Sequence, residues 1–161
     1  MAVPVSTASP LFLREAELRR GMELLYFGHS HLTRSVDRGL GEQGLGRAHH
    51  RAMYFIARRP DMTVSELLGL LAITKQSLGR VLGELTERGL VETRPGARDR
   101  RQRLLRLTAQ GATMEHELFE VVRQRISAAY ARAGQHAVSG FWAVLEGLIP
   151  ESERARIDGL R

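Results

Sequence analysis

The chain has no cysteine, a single lysine, and no apolar run approaching the ~20 residues of a membrane-spanning helix. Without cysteine there is no disulfide, no cysteine-ligated zinc and no thiol-based peroxide sensor. The opening MAVPVSTASP has neither the charged start nor the apolar core of a signal peptide. Residues 1–10 are therefore expected to be a disordered leader on a cytoplasmic protein with no membrane partner. A glycine-rich phosphate loop, a GxSxG nucleophile elbow and paired carboxylates set in an apolar stretch are also missing. No catalytic residue, resident metal or cofactor is expected, and the chain does not read as an enzyme. Repeats and low-complexity segments are absent as well.

What is present is a chain of 161 residues, 43% hydrophobic, with a formal net charge of +6. That length suits one compact domain with dimerising arms. The charge is localised: residues 75–106 hold nine basic and four acidic side chains, which places +5 of the total in one stretch. Twenty-three of the 24 basic residues are arginine, a bias that a GC-rich genome would also produce, so not every arginine is credited to binding.

The basic stretch lies inside the segment that organises the chain, Thr63 to Gly111. Thr63 followed by Glu66 has the spacing of a capping box, in which each side chain satisfies the other's exposed backbone N–H. Val64, Leu67, Leu68 and Leu71 then keep helical spacing, and Thr74 is a good N-cap for a second helix after a tight turn. In the second helix Leu78, Val81, Leu82 and Leu85 form one apolar stripe, and the opposite face falls on Gln76, Arg80, Gly83 and Glu87. Gln can pair with adenine and Arg with guanine in the major groove. Lys75 and Ser77 sit at the amino end, where recognition helices usually touch DNA. Gly79 and Gly83 either let the helix lie close to DNA or reflect a small-residue contact or mere tolerance. Gly89 suits a left-handed cap.

Leu90 to Thr93 and Arg103 to Leu107 alternate like strands around a turn at Pro95, Gly96 and Ala97. From Arg94 to Arg106 there are six arginines against one acid, Asp99, an imbalance suited to phosphate or a minor groove. Two helices followed by a basic hairpin make a winged helix-turn-helix. The residues expected to meet DNA are Thr63, Ser65, Thr74, Lys75, Gln76, Ser77, Arg80, Arg98, Asp99, Arg100, Arg101 and Arg103.

Asp99, Arg101, Leu107 and Thr108 fit the wing signature DxRxxxxxLT, and KQSL at Lys75 to Leu78 falls where the recognition helix begins. On these residues the chain resembles the MarR family of bacterial transcription regulators. The resemblance implies that Arg101 enters the minor groove and that Asp99 holds the wing's shape. It also implies a dimer, and a small-molecule pocket near the helix that lies beneath the first helix and above the DNA-reading pair. The chain departs from many members at Gly79, where they carry serine or another polar residue.

The flanks read as arms. From Leu11 to about Leu40, the residues Leu18, Met22, Leu25, His29, Leu32, Val36 and Leu40 keep near-heptad spacing, which predicts one long helix in need of a partner. A glycine-rich loop follows, from Gly39 to Gly46. Gly46 to Pro60 predicts the next helix, with His50, Met53, Tyr54 and Ala57 on one face. His29 and His50 interrupt apolar stripes. They are satisfied core residues, effector contacts together with Met53 and Tyr54, or members of a weak metal or haem ligand set. Thr108 is expected to cap a long helix to about Arg132. After a break at Gly134, a last amphipathic helix runs from Val138 to Ile149, before a charged tail, Glu151 to Arg161.

The expected fold is mainly α with a small β-wing: a winged helix-turn-helix over residues 46–107, an N-terminal dimerisation helix and loop over 11–45, and C-terminal dimerisation helices and tail over 108–161. The expected function is a dimeric, sequence-specific regulator that binds double-stranded DNA, a repressor of pseudo-palindromic operators relieved by a small-molecule effector. A winged-helix module docking a protein partner, or a histidine-dependent metal- or haem-responsive regulator, are the alternatives.

Overall fold

A computed structural model describes residues 9–97 and 99–160. The expected leader falls mostly outside these residues, and Ser9 and Pro10 already open a short 3-10 turn, Pro10–Leu13. Eight α-helices and three strands follow: α1 (Glu15–Arg34), α2 (Asp37–Glu42), α3 (Arg47–Arg58), β1 (Met62–Thr63), α4 (Val64–Leu71), α5 (Lys75–Glu87), β2 (Val91–Pro95), β3 (Arg103–Leu107), α6 (Ala109–Ala133), α7 (Gln135–Leu148) and α8 (Glu151–Asp158).

The core belongs to the middle of the chain. Ala52, Met53 and Ile56 of α3 meet Leu67 and Leu71 of α4, Leu78, Val81 and Leu85 of α5, and Leu105 of the sheet. The apolar spacing within each helix aims these side chains at one point. β3 is the central strand, flanked antiparallel by β2 and by the two-residue β1. β1 was not expected: two residues, the second of them the helix cap Thr63, are too few to show alternation.

The predicted single helix from Leu11 to Leu40 is broken. Near its end Thr33 Oγ1 donates back to the His29 carbonyl, and both the N–H and Oγ of Ser35 donate to the Leu32 carbonyl. Such side-chain bonds compete with the helical ladder. The turn swings Val36 and Leu40 into the core, where each is at most 3% exposed. The loop expected from Gly39 is partly helical, since α2 continues to Glu42 and closes with Leu45 N–H on the Leu40 carbonyl and Gly44 at φ +64°. The tail beyond Pro150 is a separate helix, α8.

α1 and α7 contribute no buried residue. Leu18, Met22, Phe27, Phe141 and Trp142 are all more than two-fifths exposed. Among the described residues, no helix is long and apolar enough to cross a membrane.

Candidate nucleic-acid interface

The helix pair is set by its caps. Thr63 Oγ1 accepts the Glu66 N–H at 3.2 Å, and Glu66 accepts the Thr63 N–H at 2.7 Å. The Thr63 backbone hydrogen bond is the main reason the Glu66 carboxyl lies below the ordinary glutamate range, with Arg59 at 2.6 Å adding to it. Ala72, at φ +51°, ends α4, and Thr74 Oγ1 accepts the Ser77 N–H at 3.1 Å to start α5. The hydroxyls of Thr63 and Thr74, expected at DNA, are thus engaged in shaping the two helices, and Ser77 Oγ accepts from Thr74. Ser65 is exposed at the start of α4.

α5 presents Lys75, Gln76 and Arg80 to solvent, while Leu78, Val81 and Leu85 are buried behind them. A side chain built at Gly79 or Gly83 would meet nothing within 4 Å, so no packing inside the chain requires glycine there. Gly89, at φ +67°, ends the helix and turns the chain into β2. The wing's tip is a loop over 96–102, longer than the turn at Pro95 to Ala97 that was expected, because Pro95 still pairs with Arg103.

The wing arginines divide into two groups. Arg94 bonds Glu92 at 2.7 Å, and Arg106 forms a fork with Asp61, which itself sits at φ +65° before β1. The hydrogen bond and charge of Asp61 raise the Arg106 pKa above its ordinary value. Arg106 thus ties the wing to the residue before β1, while Arg94 is paired within β2. Arg100, Arg101 and Arg103 are exposed and have no ion pair among the described residues. Arg98 lies outside the described residues. Asp99 Oδ1 accepts the Arg101 N–H at 2.9 Å, and its carbonyl accepts the Gln102 N–H at 3.0 Å, so the carboxylate folds the loop back on itself. Gly96 is needed for this close turn, since a Cβ there would stand 2.6 Å from the Asp99 carbonyl oxygen.

An exposed face bearing Gln76 and Arg80 thus stands beside a wing whose Arg100, Arg101 and Arg103 are open to solvent. The family model described as MarR family matches residues 43–102. The HTH-type transcriptional regulator PetP of Rhodobacter capsulatus is 47% identical over 151 residues, covering 94% of this chain and 91% of that protein. The chain belongs to the MarR family. These proteins are DNA-binding winged-helix transcription regulators, and the matched segment holds the helix pair and the wing up to the residue before β3. Solved structures share the fold. A cysteine-to-serine mutant of MarR from E. coli complexed with operator DNA has a TM-score of 0.66 at 22% identity, covering 88% of this chain and 100% of that one. NadR in complex with 4-hydroxyphenylacetate has a TM-score of 0.64 at 22% identity, covering 92% and 97%.

On the far side of α3 in this MarR-family chain, α1, α3 and α6 border an open pocket of about 680 Å³ whose lining includes His29, Thr33, His50, Tyr54, Phe55 and Phe119. The structure thus brings together three of the four residues expected there. Met53 is the correction: it is 0% exposed and points into the core. One helix position separates it from Tyr54, and about 100° per residue carries it to the other face. Arg47 and Arg51 also line the cavity, but Arg47 is held by Asp37 at 2.8 and 2.6 Å, and Arg51 donates to the Leu71 carbonyl. His50 Nε2 is buried with no hydrogen-bond partner, and burial pushes its pKa below the ordinary value. Among the described residues no three His, Cys, Asp or Glu side chains gather as a metal site.

Two further contacts escaped the sequence reading. Gly111, at the start of α6, lies so close to the residue before β2 that a Cβ would run into the Leu90 carbonyl oxygen. Arg88, at the end of α5, donates to the carbonyls of Gln43 and Gly44, tying the recognition helix to the loop before α3. Glycines and arginines are too frequent here for either to stand out.

Proposed function

We propose that this MarR-family regulator acts in the cytoplasm as a homodimeric repressor that reads a pseudo-palindromic operator and is released by a small effector. The observation that carries the reading is the face formed by Gln76 and Arg80 on α5, exposed beside the uncommitted Arg100, Arg101 and Arg103 of the wing. Gln76 and Arg80 read base edges, Lys75 and Arg100 meet phosphate, Arg101 enters the minor groove, and Asp99 shapes the wing.

The dimer reading is supported by the apolar surface of α1 and α7, which none of the described residues covers; Met22 is 72% exposed and Trp142 54%. Contiguous patches of this kind mark interaction surfaces. Residues 11–45 and 108–161 supply the arms, and 46–107 the DNA-reading head. The effector reading is supported by the cavity beneath α1, with the unpartnered His50 Nε2 on an apolar and aromatic wall. The related fold of NadR was solved with 4-hydroxyphenylacetate.

Selection of bound duplexes from a random DNA pool tests the reading as a whole. Two inverted half-sites about one helical turn apart are expected. Recovery of no common sequence, or binding without steep salt dependence, would reject operator recognition and favour a protein-docking module. Light scattering that reports a folded monomer at micromolar concentration would remove the dimer.

A further inference from the structure

The first turns of α3 divide their side chains between two neighbours. Arg47, His50 and Arg51 face the cavity. His49 points instead at the recognition helix, with only 12% of its side chain exposed. Both its ring nitrogens are engaged: Nδ1 accepts the Gly46 N–H at 3.1 Å, and Nε2 lies 2.7 Å from Glu84 Oε2. A nitrogen that accepts carries no proton, so Nε2 bears the hydrogen and donates it to Glu84.

Glu84 lies four residues after Arg80, a spacing at which a carboxylate and a guanidinium meet on a helix surface. Glu84 Oε1 stands 3.9 Å from Arg80 Nε, a loose ion pair beyond hydrogen-bond range that leaves the Arg80 side chain 79% exposed. We propose that His49 is a positioning residue for DNA recognition: by holding Glu84 it keeps that carboxylate from closing on Arg80, which stays free for a base edge. The proposal rests on Arg80 reading a base.

The physical competition is a close one. An exposed ion pair at this spacing is weak by itself, whereas a hydrogen bond donated to a carboxylate from a nearly buried ring is stronger than a neutral one. One histidine is therefore enough to decide where Glu84 stays. Released, Glu84 would occupy the donors that Arg80 offers to guanine and would bring a negative charge toward the phosphates.

Two conservative substitutions separate the two nitrogens. Asparagine places its amide near the position of Nδ1 and keeps the Gly46 contact; glutamine reaches the position of Nε2 and keeps Glu84. Fluorescence anisotropy on the selected operator and on a scrambled duplex is measured for the wild type, Arg80→Ala, His49→Asn, His49→Gln, and His49→Asn combined with Glu84→Gln. Arg80→Ala should lose roughly tenfold in operator selectivity. His49→Asn should lose about two- to fivefold, as much as an exposed ion pair at this spacing can cost, His49→Gln should keep the wild-type selectivity, and Glu84→Gln should restore it in the His49→Asn background. Thermal melts check that each variant is folded. Normal selectivity in His49→Asn with loss in His49→Gln would show that His49 is only a helix cap and overturn the proposal. Failure of Glu84→Gln to restore selectivity would overturn it too. An unaffected Arg80→Ala would instead remove the base-reading role beneath it, and the proposal with it.

Discussion

If the wing meets DNA as proposed, Asp99 carries two effects of opposite sign on binding, and two substitutions can divide them. Its carboxylate repels phosphate, yet the same oxygen accepts the Arg101 N–H at 2.9 Å in a loop closed by Gly96 N–H on the Gln102 carbonyl at 2.9 Å. Asp99→Ala removes both the charge and the acceptor, whereas Asp99→Asn removes the charge and keeps an acceptor. A unit charge about 10 Å from a phosphate is worth about 0.4 kcal/mol in water, and less than half of that at physiological salt. Loss of one exposed hydrogen bond that orders the loop costs about 1 kcal/mol. With two wings in the proposed dimer the loss dominates, so Asp99→Ala should bind the operator about tenfold more weakly. Asp99→Asn should bind as well as the wild type or slightly better. Anisotropy titrations at several salt concentrations give both affinities. Tighter binding by Asp99→Ala in a folded dimer would refute the orienting role and leave the wing as a set of mobile cations.

Three other outcomes follow from the geometry. Gly111→Ala would ordinarily favour a helix by about 1 kcal/mol, but here the new Cβ also lies 2.9 Å from the Leu90 carbonyl carbon; urea melts should show a loss of several kcal/mol, and a gain would contradict the packing of α6 against Leu90. Gln76→Ala should lose about 1 to 3 kcal/mol on the operator with little change on random DNA, whereas Arg100→Ala should weaken both and flatten the salt dependence by about one unit per lost contact. Because burial lowers the His50 pKa below its ordinary 6.5, the unfolded chain takes up the proton more readily than the fold. Stability from this group is complete above 6.5 and falls as the pH drops toward the depressed value. Melts of wild type and His50→Phe between pH 7.5 and 5 should differ in that slope, and equal slopes would contradict the burial of a neutral ring.

Local order was legible in the residues themselves. The Thr63–Glu66 box, the Thr74 and Thr108 caps and the left-handed Gly89 all stand where their side-chain chemistry requires, because a cap involves only residues three or four apart. The same holds for the face bearing Gln76 and Arg80, which the helical period alone separates from Leu78, Val81 and Leu85. Contacts between distant segments were not legible. That Arg106 braces the wing on Asp61 while Arg100 and Arg101 stay free depends on β1 lying beside β3, and six arginines in a row of letters look alike. The break after Arg34 arises because Val36 and Leu40 gain more from the shared core than from an isolated helix, an energy that exists only once α3 and α6 are in place. Likewise the sequence placed His50 on an apolar face, but only packing decided that it would share a cavity with His29 and Tyr54 while Met53 turned into the core and His49 toward Glu84.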